Sequence, residues 1–263
     1  MRQLELFKAT LYRMYKSTGV RIAVLLTYIA AICYYVLATM VANGKMGVDV
    51  AGSITGLGDA MIIWLFGSLI VGILVGGDFE SKTIHGTIGH GRKNVVINYV
   101  MVYMVMMAVL LLPYLVGSVA LIIAEVDMTG AESTAVSIFL DNVLKFGDGA
   151  SIGKLVISYI SYVIVVMGQL GILIIVAMKI RKAMAVTCVG FIFGMFTALI
   201  ASLASKVEML DNIYKLTPYN YGISRLGIEA NISDMCVGIV VSLIFMAVCG
   251  GIGWIVFRKA DIK

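Results

Sequence analysis

The sequence has little of what soluble enzymes are built from. Of its 263 residues only 13% are charged, two are proline and two are histidine. The four cysteines, Cys33, Cys188, Cys236 and Cys249, have no CxxC spacing, so they read as small apolar packing residues rather than redox or zinc ligands. His85 and His90 stand five residues apart, with no cysteine or further histidine nearby. Asp78 and Glu80 do not complete a metal cage with them. Gly147–Leu155 (GDGASIGKL) approximates a phosphate loop, but its spacing is off by one residue and Leu155 stands where Ser or Thr is needed. Metal chemistry, paired acid–base chemistry and ATP hydrolysis all lack residues to carry them. The chain is therefore read as a non-enzyme that binds no cofactor itself.

What is present is apolar length. Hydrophobic residues make up 61% of the chain, where a soluble domain is about half apolar and a quarter charged. The excess falls in runs of about 20 residues, enough to cross a bilayer as a helix. Six spans are expected: Val20–Val41, Gly58–Gly77, Val95–Ala124, Gly153–Met178, Ala183–Ala204 and Met235–Phe257. The fold class is an all-α polytopic membrane protein, with an amphipathic interfacial helix over residues 1–19 and a six-helix transmembrane domain over 20–263. The third run is longer than a crossing needs, so a tilt, a protrusion or a bend near Pro113 is expected.

Charge placement sets the orientation. With the N-terminal side inside, cytoplasmic segments hold fourteen Lys and Arg against six outside, and four acidic residues against eleven. Both ends of the chain are predicted to be cytoplasmic. The net charge of +5 then reports topology, not nucleic-acid binding. The first apolar run is too long for a signal-peptide core, and no small-x-small site follows it, so no cleaved signal is expected.

In the leader, Leu4, Phe7, Leu11 and Met14 recur at helical spacing, with Arg2, Glu5, Lys8, Arg13 and Lys16 on the other faces. That pattern predicts a helix lying flat, apolar side in lipid. Loops at 42–57, 125–152 and 205–234 are expected outside, with a short amphipathic helix at Ala131–Phe146 and interfacial helices in the last loop. Small residues recur every fourth position: Ser68, Gly72 and Gly76 in the second span, and Gly190, Gly194 and Ala198 in the fifth. Such stripes predict close helix packing, within the subunit or against a second copy. Gln169 is the clearest polar group at mid-depth, with Asn98 nearer the cytoplasmic side. The carboxylates, histidines or broken helices of an ion-driven carrier are missing there. The short connection Lys179–Lys182 reads as a tight helical hairpin.

The most unusual stretch is Gly76–Asn94 (GGDFESKTIHGTIGHGRKN), with seven charged or imidazole side chains and five glycines between apolar runs. It is the largest polar piece on the cytoplasmic side after the leader. A membrane body without an energy source of its own calls for a partner, and this segment is where a partner would meet it.

Three stretches together resemble the membrane-spanning subunit of a bacterial ABC transporter, of the ABC-2 export-type permease family. They are the leader LFKATLYRMYKSTGVRIAVLL, the loop DFESKTIHGTIGHGRKNVVINYVMVY after the second span, and the ending FRKADIK. The resemblance implies a plasma-membrane complex of two permeases, identical or related, with two separate ATPase subunits that bind ATP and Mg. It implies that the loop 77–94 couples to the ATPase. Phe79, Ile84 and Ile88 would be its apolar anchors, and Glu80, Lys82, Arg92 and Lys93 its polar contacts, with Asp78, Thr83 and Thr87 in the same element. The implied cargo is a hydrophobic or amphipathic molecule such as an antimicrobial peptide, a drug or a lipid. No substrate-binding residue can be named. A self-sufficient carrier or channel is the alternative reading.

Overall fold

The computed structural model describes residues 2–45, 59–84, 86, 89, 91–123, 152–204, 206–221, 226 and 231–259. No strand occurs among the described residues. The expected helix at Ala131–Phe146 lies outside them, as do His85, Thr87, Ile88 and His90.

Helix α1 (Arg2–Lys16) leads into α2 (Thr18–Ala42) through Ser17. The second hydrophobic stretch comprises α3 (Asp59–Val71), a π-helical turn (Gly72–Gly76) and the short α4 (Gly77–Glu80). Then come α5 (Arg92–Ile123), α6 (Ile152–Leu170) and α7 (Ile172–Ile180), the last two separated only by Gly171. Helix α8 (Ala183–Ala204) follows after Arg181 and Lys182, the two-residue connection of a tight hairpin. Arg181 takes the left-handed conformation (φ 59°) that ends α7. The amphipathic α9 (Glu208–Lys215), a 3-10 turn (Pro218–Asn220) and α10 (Ile232–Arg258) complete the order.

Five stretches are long and apolar enough to cross a membrane: Thr18–Val41, Met61–Glu80, Arg92–Leu121, Leu155–Ile180 and Ile232–Arg258. The fifth expected span falls on α8, within which Ala183–Thr197 is an apolar stretch shorter than those five. The pattern is that of an all-α polytopic protein.

Helix α5 is the axis of the bundle, packed against α1, α2, α3, α6 and α10. Its Tyr99, Tyr103, Met107, Leu110, Leu111 and Tyr114 are fully buried, a repeat of three and four that keeps one broad face in the core. At 32 residues it is about 48 Å long, beyond the roughly 30 Å hydrocarbon thickness. It continues through Pro113.

The small-residue stripes meet each other inside the subunit. Antiparallel α3 and α8 approach so that Trp64 lies on Gly194, Ser68 on Gly190, and Gly72 on Ala183 and Thr187. Gly76 meets Lys182 and Ala183. A Cβ on Gly72 would sit 2.5 Å from the Ala183 carbonyl oxygen, a backbone atom with no freedom to yield. A Ser68 hydroxyl bond to the Thr187 carbonyl, at 3.2 Å, crosses the same seam. The side chain of Ala198 lies outside the described set. A second close seam joins α6 to α10, where Gly168 abuts Ser242.

The outward faces are apolar. Ile22, Leu25, Ile29 and Ile32 on α2 and Val240, Ile244, Val248 and Ile252 on α10 are exposed at helical spacing. Faces of this extent are covered in a native environment. Cys33, Cys188 and Cys236 are free and exposed, and only Cys249 is buried. Within the chain, the packing role is seen for Cys249.

Candidate functional site

The second hydrophobic stretch ends in three consecutive residues, Asp78, Phe79 and Glu80, that each hold a different neighbour. Successive side chains on a helix point about 100° apart, so one short turn can reach several elements. The π turn just before it carries the Gly77 N–H to the Gly72 carbonyl. Its extra residue rotates α4 relative to an uninterrupted helix.

Asp78 faces inward and is 2% exposed. Its Oδ2 accepts from Arg13 Nη2 at 2.9 Å and from the Tyr99 hydroxyl at 2.7 Å. Its Oδ1 accepts from Arg13 Nη1 and, at 2.7 Å, from the Thr83 hydroxyl. A carboxylate this buried is tolerable only because a cation and two hydroxyls satisfy it. The Arg13 guanidinium has its pKa pulled down by burial, with Tyr99 acting in the opposite sense. One carboxylate thus joins α1, α5 and the turn after α4.

The Phe79 ring meets Phe257 of α10 edge-on, with centroids 6.0 Å apart, and the Arg181 guanidinium lies 5.2 Å from its centre. Glu80 Oε1 accepts the Ala183 backbone N–H at 3.3 Å, placing a negative charge at the N-terminus of α8, where the helix dipole favours it. Ser81 closes the turn with a hydroxyl bond to the Gly77 carbonyl at 2.6 Å. Lys82 then turns the chain with a left-handed backbone (φ 57°).

Several residues expected to meet a partner are thus engaged within the chain. Asp78 is saturated by Arg13, Tyr99 and Thr83, and Ile84 is 2% exposed in the core. Phe79 is half-buried between Phe257 and Arg181. Ile84 and Phe79 therefore do not stand out as free anchors, because the bundle itself supplies an apolar surface for them to cover. Ser81, Lys82, Gly86, Gly89 and Lys93 are exposed. Arg92 Nη1 donates to the Arg258 carbonyl at 2.6 Å.

The leader helix also packs on the bundle, with Phe7 and Leu11 of its apolar face against the core. Leu6, Thr10 and Met14 form its buried face, and Leu4 is 61% exposed. Polar bonds add to this contact. Asn98 Nδ2 donates to the Thr10 hydroxyl at 2.8 Å, and that hydroxyl donates to the Leu6 carbonyl at 2.9 Å. With Arg13 on Asp78, these bonds hold α1 against α5.

Deeper in the bundle, Gln169 is consumed in structure. Its Nε2 donates to the Pro218 carbonyl at 3.1 Å, and the Tyr219 hydroxyl donates to the Gln169 carbonyl at 2.7 Å. Tyr219 packs among Trp64, Phe193 and Phe245, and burial raises its pKa. The 3-10 turn is thus a plug set into the bundle. Among the described residues no group of three or more His, Cys, Asp or Glu side chains is placed to hold a metal.

The residues that sequence reasoning missed are Arg13, Tyr99, Arg181 and Phe257. Each is far from 78–80 along the chain, and the available signal was chemical. An aspartate at the basic end of an apolar run needs a cation. The chain matches no protein-family model and no curated protein.

Proposed function

We propose that this chain is the membrane-spanning subunit of an ATP-driven exporter of the ABC-2 permease type. It lies in the bacterial plasma membrane with both ends of the chain in the cytoplasm and α8 as the fifth of six spans. A second permease copy and a separate ATPase complete the complex, and ATP and Mg sit on the ATPase. The cargo is hydrophobic or amphipathic.

The observation that carries this reading is the Asp78–Phe79–Glu80 clasp. The exposed segment beginning at Ser81 is tied within three residues to α1, α5, α8 and α10. A force applied to that segment reaches four helices without passing through a flexible linker. The ATPase contact is assigned to Ser81, Lys82 and the glycine-rich stretch behind them, with the expected Thr87 and Ile88 in that stretch. Asp78, Phe79, Glu80 and Ile84 transmit rather than touch, and α1 lies along the inner membrane surface.

The test is photo-cross-linking from Lys82 in the chain's own cells, followed by purification. The expected product joins the chain to a protein with a phosphate-binding loop, and ATP hydrolysis co-elutes with it. Lys82→Glu should weaken both. Movement of a fluorescent amphiphile by vesicles holding the purified chain alone, without ATP, would overturn the reading in favour of a self-sufficient carrier or channel.

A further inference from the structure

Between α5 and α10, at the basic end of the bundle, runs an apolar groove of about 350 Å³. Val96 and Val100 line one wall, Met246, Gly250 and Trp254 the other, and Lys93 stands at its end. On α5 it extends from Lys93 to Met101 and on α10 from Leu243 to Trp254. Those stretches are about 12 and 16 Å long at the helical rise, close to the roughly 15 Å depth of one hydrocarbon leaflet. Glycine keeps it open: a Cβ on Gly250 would meet only Val100, at 3.6 Å, and one on Gly251 would meet nothing.

The mouth of the groove is strongly positive. Arg92 and Lys93 begin α5 where Arg258 and Lys259 end α10, and the Arg92–Arg258 bond brings the two helix ends together. The Arg258 guanidinium lies 5.4 Å from the Trp254 ring centre. Among the described residues none of these four cations forms an ion pair. The shape therefore asks for a single flexible hydrocarbon chain, and the mouth asks for a negative head.

We propose that this groove binds one anionic phospholipid, with an acyl chain between α5 and α10 and its phosphate at Lys93 and Arg258. The site depends on the membrane-spanning pattern and is independent of the exporter reading. Basic pockets at the ends of packed membrane helices suit such headgroups because each nearby Lys or Arg adds attraction in a low-dielectric boundary.

Tryptophan fluorescence tests it, because the chain has only Trp64, which is packed in the core, and Trp254 in the groove. The full chain is placed in phosphatidylcholine bilayers holding a minor share of chain-brominated phosphatidylglycerol or, in parallel, chain-brominated phosphatidylcholine. Brominated phosphatidylglycerol should quench more strongly at equal content, and Trp254→Phe should remove the difference. Lys93→Gln and Arg258→Gln should each lower the preference about fivefold, while Lys182→Gln leaves it unchanged. Gly250→Leu should fill the groove and abolish quenching by both lipids. Equal quenching of the wild-type chain by the two lipids would show ordinary annular lipid and overturn the site. So would the absence of quenching by either, which would mean that protein covers the groove. An equal effect of Lys182→Gln would reduce the preference to diffuse surface charge and overturn it as well.

Discussion

The Tyr28 hydroxyl of α2 donates to the Val109 carbonyl of α5 at 3.0 Å, and Val109 is the residue whose carbonyl loses its helical donor to Pro113. Proline has no N–H to return to the residue four before it. In an apolar environment such a carbonyl has no water to turn to. A neighbouring helix supplies the missing donor, which is how α5 continues through Pro113 and gains a fixed contact with α2.

Tyr28→Phe should therefore lower the stability of the purified protein by about 1 kcal/mol, the scale of a hydrogen bond between membrane helices. Pro113→Ala gives the Val109 carbonyl its own donor again. In that background the cost of Tyr28→Phe should shrink towards zero. Thermal unfolding of the four proteins in a double-mutant cycle checks this, and an unchanged cost in the alanine background would show that the hydroxyl serves something else.

The clasp makes a larger prediction. Asp78→Ala leaves Arg13 without its carboxylate and removes the acceptor of Tyr99 and Thr83. Breaking a buried pair from one side costs about 3–5 kcal/mol. The double change Arg13→Met with Asp78→Leu removes both charges and should recover a large part of that loss. Limited proteolysis at Lys16 reads the detachment of α1 directly. Cleavage should be fast in Asp78→Ala and slow in the double variant. Equal cleavage in both would mean that α1 is held by Thr10 and Asn98 alone.

How much of this was legible in the sequence depends on how local each signal is. The spans were readable because hydropathy is summed along the chain, and the stripes at Ser68, Gly72, Gly76, Gly190 and Gly194 because spacing alone makes a helix face. That these stripes pair with each other, and not with a second copy, required the tertiary arrangement. Asp78 could be flagged as polar, but its cation lies 65 residues away, and nothing in GILVG announces a π turn. The burial of Ile84 was hidden for the same reason. An isoleucine in a polar loop looks like an outward anchor until the bundle is seen to cover it. The leader's contact with Asn98 was hidden because it runs through Thr10, a residue that an apolar-periodicity argument passes over.

Two glycines five residues apart should behave oppositely. A Cβ at Gly72 meets the Ala183 backbone at 2.5 Å, whereas at Gly77 nothing lies within 4 Å. Gly72→Ala must push α8 away from the π turn and should cost about 2 kcal/mol, as overpacking does. Gly77→Ala fits open space in a helix and should stabilise by up to about 1 kcal/mol. Melting temperatures of the two variants in one detergent decide it. A Gly72→Ala protein as stable as Gly77→Ala would mean that the seam between α3 and α8 is looser than described.

Lys82 separates folding from partner contact. Its φ of 57° is a left-handed conformation that costs a non-glycine residue about 1–2 kcal/mol, and a glycine there would close the helix end without that strain. Lys82→Gly should leave the isolated chain as stable as the parent or about 1 kcal/mol more stable. Under the exporter reading it also deletes an exposed side chain at the ATPase contact, so ATP hydrolysis by the co-purified complex should fall while the melting temperature does not. Lys82→Arg keeps both charge and strain and should keep hydrolysis near the parent value. A stabilised Lys82→Gly chain with undiminished hydrolysis would remove Lys82 from the contact, whereas a destabilised one would show that the turn after Glu80 does not need the left-handed backbone.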